Sequence, residues 1–139
     1  MSAHKLAVVP ALALALFAGP ALAKQWPACP AGLHTAATAE LFFGRDVGAE
    51  LGVSQEDWQD FLDREVTPRF PDGLSVFDVY GQYRNPRGVF VREPSKALLL
   101  ILTGAEHERE KVKEIRDAYK ARFRQDSVML IERAACVSF

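Results

Sequence analysis

The sequence is poor in the residues that most protein chemistry draws on. Of its 139 residues, two are cysteine and three are histidine. Metal sites need several ligands at close, regular spacing. Here Cys29 and Cys136 stand near opposite ends of the chain, and there is no Cys-x-x-Cys pair. His34 and His107 are equally scattered, and His107-Glu108 lacks the second histidine that would complete a zinc-protease helix. Ser54, Ser75, Ser95, Ser127 and Ser138 have no nucleophile-elbow context, and no glycine-rich loop is present to cradle a phosphate. No catalytic residue, metal or cofactor is therefore assigned. Neither sign of charge dominates, with 17 basic against 18 acidic side chains and no long run of either. Nucleic acid needs a concentrated positive patch, so it is not an expected partner. The one basic cluster, Arg84, Arg87 and Arg92, reads as a solvated hairpin tip.

Long apolar runs are absent too, except at the start. Met1 to Lys5 form a short n-region, and Leu6 to Phe17 are apolar, about a signal h-region in length and too short to span a bilayer as a helix. Gly19 and Pro20 break that run, and Ala21-Leu22-Ala23 is the small-x-small pattern of a cleavage site. A cleaved signal over residues 1–23 fits this better than a membrane anchor or a buried helix, because the breakers sit where cleavage needs extended chain. The expected location is the periplasm or the outside of the cell, with no transmembrane segment after cleavage. Cleavage removes Lys5 and leaves 116 residues with a net charge of −2, enough for one hydrophobic core.

Residues 24–35 read as an N-terminal tail and 36–139 as a single domain. Thr38 to Val47 is apolar and β-favouring and is expected as a first strand. Ser54 opens a helix with an approximate capping box, Ser54-Gln55-Glu56-Asp57, and Val53 can staple onto Trp58. Trp58, Phe61, Leu62 and Val66 share one face, and Pro68 ends the helix. Leu74 to Arg84 alternates as a second strand, Asn85-Pro86-Arg87-Gly88 is a tight turn, and Val89 to Thr103 returns as a third strand with a bulge expected at Pro94. Thr103-Gly104-Ala105-Glu106 reads as a second capping box. It precedes a helix with Val112, Ile115, Tyr119 and Phe123 on one face, and Ser127 to Ala135 makes the last strand.

The order β-α-β-β-α-β is that of the ferredoxin-like split βαβ fold, an α+β class: a four-stranded antiparallel sheet with two helices on one face. In that arrangement the last strand lies beside the first. Cys29 and Cys136 then come to the same end of adjacent strands, and in an exported protein a disulfide between them is expected. By loop entropy, closing so long a loop is worth about 4–5 kcal/mol at most. Ala97 to Leu102 is apolar on both sides, yet two helices cover one face only. A second copy packing sheet against sheet, giving a homodimer, is the favoured cover, and the N-terminal tail is the rival. On the second strand, Leu74, Val76, Asp78, Tyr80 and Gln82 are placed on this open face, with Phe77 and Val79 on the other.

Five segments carry a family resemblance: Ala39-Glu40-Leu41-Phe42-Phe43-Gly44-Arg45, Thr67-Pro68-Arg69-Phe70-Pro71-Asp72-Gly73-Leu74, Gly81-Gln82-Tyr83-Arg84, Arg92-Glu93-Pro94-Ser95-Lys96 and Cys136-Val137-Ser138-Phe139. In this order they resemble a bacterial family of exported proteins, domain-of-unknown-function family 3574. The resemblance implies no activity, substrate or cofactor. Many members carry a lipidated cysteine after the signal. Trp26-Pro27-Ala28 before Cys29 lacks the usual small and leucine-like residues, so membrane anchoring does not carry over.

Two groups of residues are candidate ligand sites. In the turn after the first helix, Arg69 can fork onto a carboxylate with Asp72 orienting it; the structural alternative is that Pro68, Phe70 and Asp72-Gly73 simply build the turn. Asp78, Tyr80 and Gln82 either line a pocket on the open face or hydrogen-bond across a dimer interface. The expected function is a non-catalytic envelope module that binds a small ligand or a protein. The alternative, a small enzyme of the dimeric α+β barrel kind using the open face, rests on fold analogy alone.

Overall fold

A computed structural model describes residues 28–48 and 50–139. The expected signal peptide and the first four residues of the tail lie outside the described residues. Strand β1 is His34–Gly44, and a small two-stranded hairpin follows, β2 (Asp46–Val47) and β3 (Glu50–Leu51). Helix α1 is Gln55–Phe61, continuing as one π-helical turn, Leu62–Val66. The long hairpin β4 (Ser75–Arg84) and β5 (Phe90–Leu102), helix α2 (Glu108–Phe123) and β6 (Met129–Val137) complete the chain. The four long strands form one antiparallel sheet in the order β4-β5-β1-β6.

Helix α1 starts where its local chemistry dictates. Ser54 Oγ accepts the Asp57 amide at 3.0 Å and Asp57 Oδ2 accepts the Ser54 amide at 3.1 Å, a reciprocal cap. Val53, Trp58, Phe61, Leu62 and Val66 are all buried, as their spacing requires. Before Pro68 the ladder widens, with the Thr67 amide donating to Leu62 O at 2.8 Å. Val112, Ile115, Tyr119 and Phe123 form the buried face of α2. Both helices meet the same face of the sheet. Phe43 of β1 lies 5.1 Å from Trp58 and 4.7 Å from Tyr119, centroid to centroid, between the two helices.

The first strand starts earlier than expected, at His34 rather than Thr38, the last runs on to Val137, and three further features differ from expectation. The first strand ends at Gly44 rather than Val47, because Arg45 turns the chain away: its Nε donates to Val53 O at 2.9 Å and its O accepts the Gly52 and Val53 amides. No bulge forms at Pro94; β4 and β5 stay in unbroken register from Ser75↔Leu99 to Arg84↔Phe90. The Pro94 carbonyl faces β1 and accepts the Arg45 amide at 3.1 Å, so its missing N–H also falls on that side, just where β1 has ended. The second capping box is built on Glu108 rather than Glu106: the Glu108 carboxylate accepts from the Thr103 and Gly104 amides, and α2 begins there, after a left-handed His107.

Cys29 and Cys136 form a disulfide with Cα atoms 5.6 Å apart, closing a separation of 107 residues. Cys136 pairs with Thr35 on the ladder. Counting in twos from Leu41↔Leu130, this places the Cys136 side chain on the helix side of the sheet. The segment before β1 is therefore tied to the covered face.

Candidate functional site

Residues directly opposite one another in a ladder share a face. Val76 pairs with buried Leu98, Asp78 with Lys96, Tyr80 with Pro94 and Gln82 with Arg92, so all four belong to the helix side. This reverses the expected placement of Asp78, Tyr80 and Gln82 on the open face, although Tyr80 and Gln82 also border a cavity at the end of the sheet. The second strand carries apolar residues on both of its faces, and only its pairing with β5 decides which set turns inward. Asp78, 78% exposed, holds the Lys96 ammonium, which is 4% exposed beside the core. That contact keeps the Asp78 carboxyl below its ordinary range. Gln82 accepts from Arg92 Nε at 2.7 Å, and Tyr80 is 86% exposed on the edge strand.

Arg69 does not pair with Asp72. Its Nη1 donates to Glu65 O at 2.7 Å and Glu65 Oε2 at 2.9 Å, and its Nε donates to Glu114 Oε2 at 3.0 Å. The guanidinium fork therefore fastens the π-helical turn to α2. Arg69 and Asp72 do border a cavity of about 510 Å³, with Leu99, Ile101 and Phe139.

The open face is apolar, as the doubly apolar third strand implies, but its residues are Phe42, Phe77, Val79, Tyr83, Leu99, Ile101 and Ile131. Phe77 and Tyr83 are about half exposed. Glu40 and Arg133, paired at 3.1 Å, interrupt the apolar surface. At the end of this face where β1 stops, a cavity of about 860 Å³ opens between β4–β5, the β2–β3 hairpin and the turn leading to β6.

Glu93, which the residue pattern does not single out, borders that cavity. It pairs with Gly81 across the β4–β5 ladder and lies beside Gly44 at the end of β1. A methyl group at Gly44 would sit 2.9 Å from Glu93 Oε1, and one at Gly81 would lie 3.6 Å from Glu93 Cγ. Gly44 thus leaves room for the carboxylate, whereas the distance at Gly81 is an ordinary contact. Burial, reinforced by the Asp46 carboxylate, pushes the Glu93 carboxyl above its ordinary range. No hydrogen-bond or ion-pair partner for it occurs among the described residues. The rim is held from the core: Tyr119 Oη donates to Gly44 O at 2.9 Å, and Gln125 Nε2 donates to Asp46 O at 2.8 Å. Burial also drives the Tyr119 phenol far upward, which keeps it a neutral donor. The available signal was the glycine placed opposite a charged residue next to proline; separated by twelve positions, Gly81 and Glu93 give no local pattern.

Among the described residues, no group of three His, Cys, Asp or Glu could hold a metal ion, and no helix is long and apolar enough to cross a membrane.

Residues 38–139 match the family described as protein of unknown function, DUF3574. The chain belongs to this family. Three of the five segments that carry the family resemblance supply Gly44, Gly81, Tyr83, Glu93 and Ser95 to the cavity. No curated protein matches the chain. Among solved structures it is similar to a phage SAM lyase in complex with S-methyl-5'-thioadenosine, with a TM-score of 0.59 and 20% identity over 75% of this chain and 90% of the other. The apo form of a phage SAM lyase aligns with a TM-score of 0.58 and 21% identity, over 83% of this chain and 97% of that one. CutA from Synechococcus elongatus aligns more loosely, at a TM-score of 0.47 and 12% identity over 72% of this chain and 80% of that one. At these identities the likeness is one of fold.

Proposed function

We propose that this family member is an exported, ferredoxin-like binding domain whose ligand site is the open-face cavity around Glu93. The observation that carries the reading is a partly buried carboxylate, without a partner among the described residues, bordering a cavity of about 860 Å³. Even partial desolvation of an unpaired carboxylate costs free energy, and such groups concentrate at functional sites. Export is supported by the signal-like residues 1–23 and fits a disulfide that survives only in an oxidising compartment. The sheet order, with both helices on one face, supports the ferredoxin-like reading.

A second copy of the chain is the proposed cover for the apolar centre of the open face. The disulfide ties the segment before β1 to the opposite side. If the signal is cleaved after Ala23, the four residues before Ala28 reach about 14 Å, too little to lie across a four-stranded sheet. An apolar face carrying half-exposed Phe77 and Tyr83 beside Leu99 and Ile101 suits self-association. Arg69, Asp72 and the second cavity are not part of this site.

The test is a screen of small fragments of mixed charge by protein-observed NMR. Binding should move the amide resonances of Gly44, Gly81, Tyr83 and Glu93 together. Hits confined to other surfaces, or no hits, would overturn the reading. A small enzyme working in the same cavity is the second reading, favoured by the near-complete overlap with the phage SAM lyase chains. It requires S-methyl-5'-thioadenosine to appear when the protein is incubated with SAM. Its absence in a sensitive mass-spectrometric assay leaves binding alone.

A further inference from the structure

We infer that the cavity beside Gly44 takes a small organic cation, an alkylated ammonium or sulfonium group on a compact body, with Glu93 as its counter-charge. The inference rests on the ligand-binding reading above and adds the sign and character of the ligand's charge.

The walls are complementary to such a group in three ways. Charge comes first: Asp46, Glu93 and Asp126 border the cavity against Arg124, so a net negative lining meets the ligand and an anion would be repelled. Elsewhere on the same face Glu40 is neutralised by Arg133 at 3.1 Å, whereas Glu93 has no partner among the described residues. Space is second. The two strands that flank β5 each carry a glycine beside this carboxylate, and a single added carbon at Gly44 would come within 2.9 Å of its oxygen. The third is the nature of the remaining wall. Phe42, Tyr83 and Met129 contribute two aromatic rings and a thioether to the lining, groups that attract a weakly hydrated alkylated cation. A hard metal ion would instead demand six or more oxygens, and no convergent group of three acidic or histidine ligands exists among the described residues.

Proton linkage follows from the same geometry. The charged and titratable groups around Glu93 are Asp46 on β2, whose charge acts on it directly, Tyr119 of α2, which feels the Glu93 charge, and Tyr83, Arg124 and Asp126, which border the same cavity. Burial and Asp46 favour the protonated acid in the empty cavity; a bound cation favours the carboxylate. Binding therefore releases a proton, and affinity falls as the pH drops through the raised Glu93 value.

The experiment titrates the purified protein with choline and with its uncharged isostere 3,3-dimethylbutan-1-ol, followed by NMR. Choline should bind at least about tenfold more tightly than the neutral alcohol, and Glu93→Gln should remove about that factor. Choline affinity should also weaken in acid for the wild type and stay flat with pH in Glu93→Gln. Gly81→Val, which fills the cavity from the other strand and keeps the carboxylate, should weaken choline as well. Equal binding of the two probes, or indifference to Glu93→Gln, overturns the cation while leaving a cavity that Gly81→Val still blocks. Failure of choline to bind at all overturns the inference. If neutral or anionic fragments then shift the Gly44 and Glu93 resonances, the ligand-binding reading stands without it.

Discussion

The two faces of the sheet use similar residues for opposite ends. On the helix side, Phe43 meets Trp58, Phe61 and Tyr119 at centroid distances of 4.7–6.1 Å, and no water reaches it. One residue earlier, Phe42 turns to the open side and borders a cavity. The charged residues divide in the same way. Asp78 on the helix side is matched by Lys96 and held more acidic than usual; Glu93 on the open side is unmatched and held less acidic. Where the helices cover it, one face is closed in both packing and charge, and the other is open in both. A fold whose core is complete on one side can bear the stability cost of unsatisfied surface on the other.

The sharpest way to break this contrast is a pair of neighbouring substitutions. Val76→Arg drives a charge toward the helix-side core and should cost about 2–3 kcal/mol. Phe77→Arg points to the open side and should change the stability of the monomer by no more than about 0.5 kcal/mol. Denaturant titration checks both, and light scattering should show that Phe77→Arg weakens self-association. A Phe77→Arg protein as destabilised as Val76→Arg would show that the open face is part of the folding core.

Tyr119→Phe tests the link between the faces, since its hydroxyl reaches from the helix layer to Gly44 O at 2.9 Å. Loss of that hydrogen bond should lower stability by about 1 kcal/mol and shift the Glu93 amide resonance. An unmoved Glu93 signal would separate the cavity from the core.

The smallest effects lie in the two carboxylates, and they should have opposite signs. Asp78 has a lowered folded value, so its stabilisation is present at neutral pH and is lost as pH falls through that value. Asp78→Asn should be less stable than wild type at neutral pH, with the gap closing in acid. Glu93 has a raised folded value, so its favourable contribution is present in acid and is lost as pH rises through it. Glu93→Gln should match or exceed wild-type stability at neutral pH, and that advantage should fade in acid. Denaturation midpoints across this pH range decide it; the same sign for both variants would remove the distinction between the faces.

Local signals were readable in advance. The Ser54 cap, the Trp58–Val66 face and the Val112–Phe123 face depend on residues within a few positions of one another, where spacing alone encodes geometry. The pairing of Cys29 with Cys136 was also readable, because strand order brings the ends of β1 and β6 together. The face of β4 was not. Val76 and Phe77 are both apolar, and a strand's alternation separates two faces without saying which is inside.

Glu93 escaped for a related reason. Its setting is composed of Gly44 on β1, Gly81 on β4 and Asp46 on β2, drawn together by ladders that no short window contains. The amino-acid sequence by itself determined the long elements, the Ser54 cap, the disulfide and the excess of apolar residues on β5. The tertiary structure alone decided which side of β4 faces the helices and where one carboxylate is left without a partner. Both depend on register between strands, which is set only when side chains far apart in the chain compete for the same buried face.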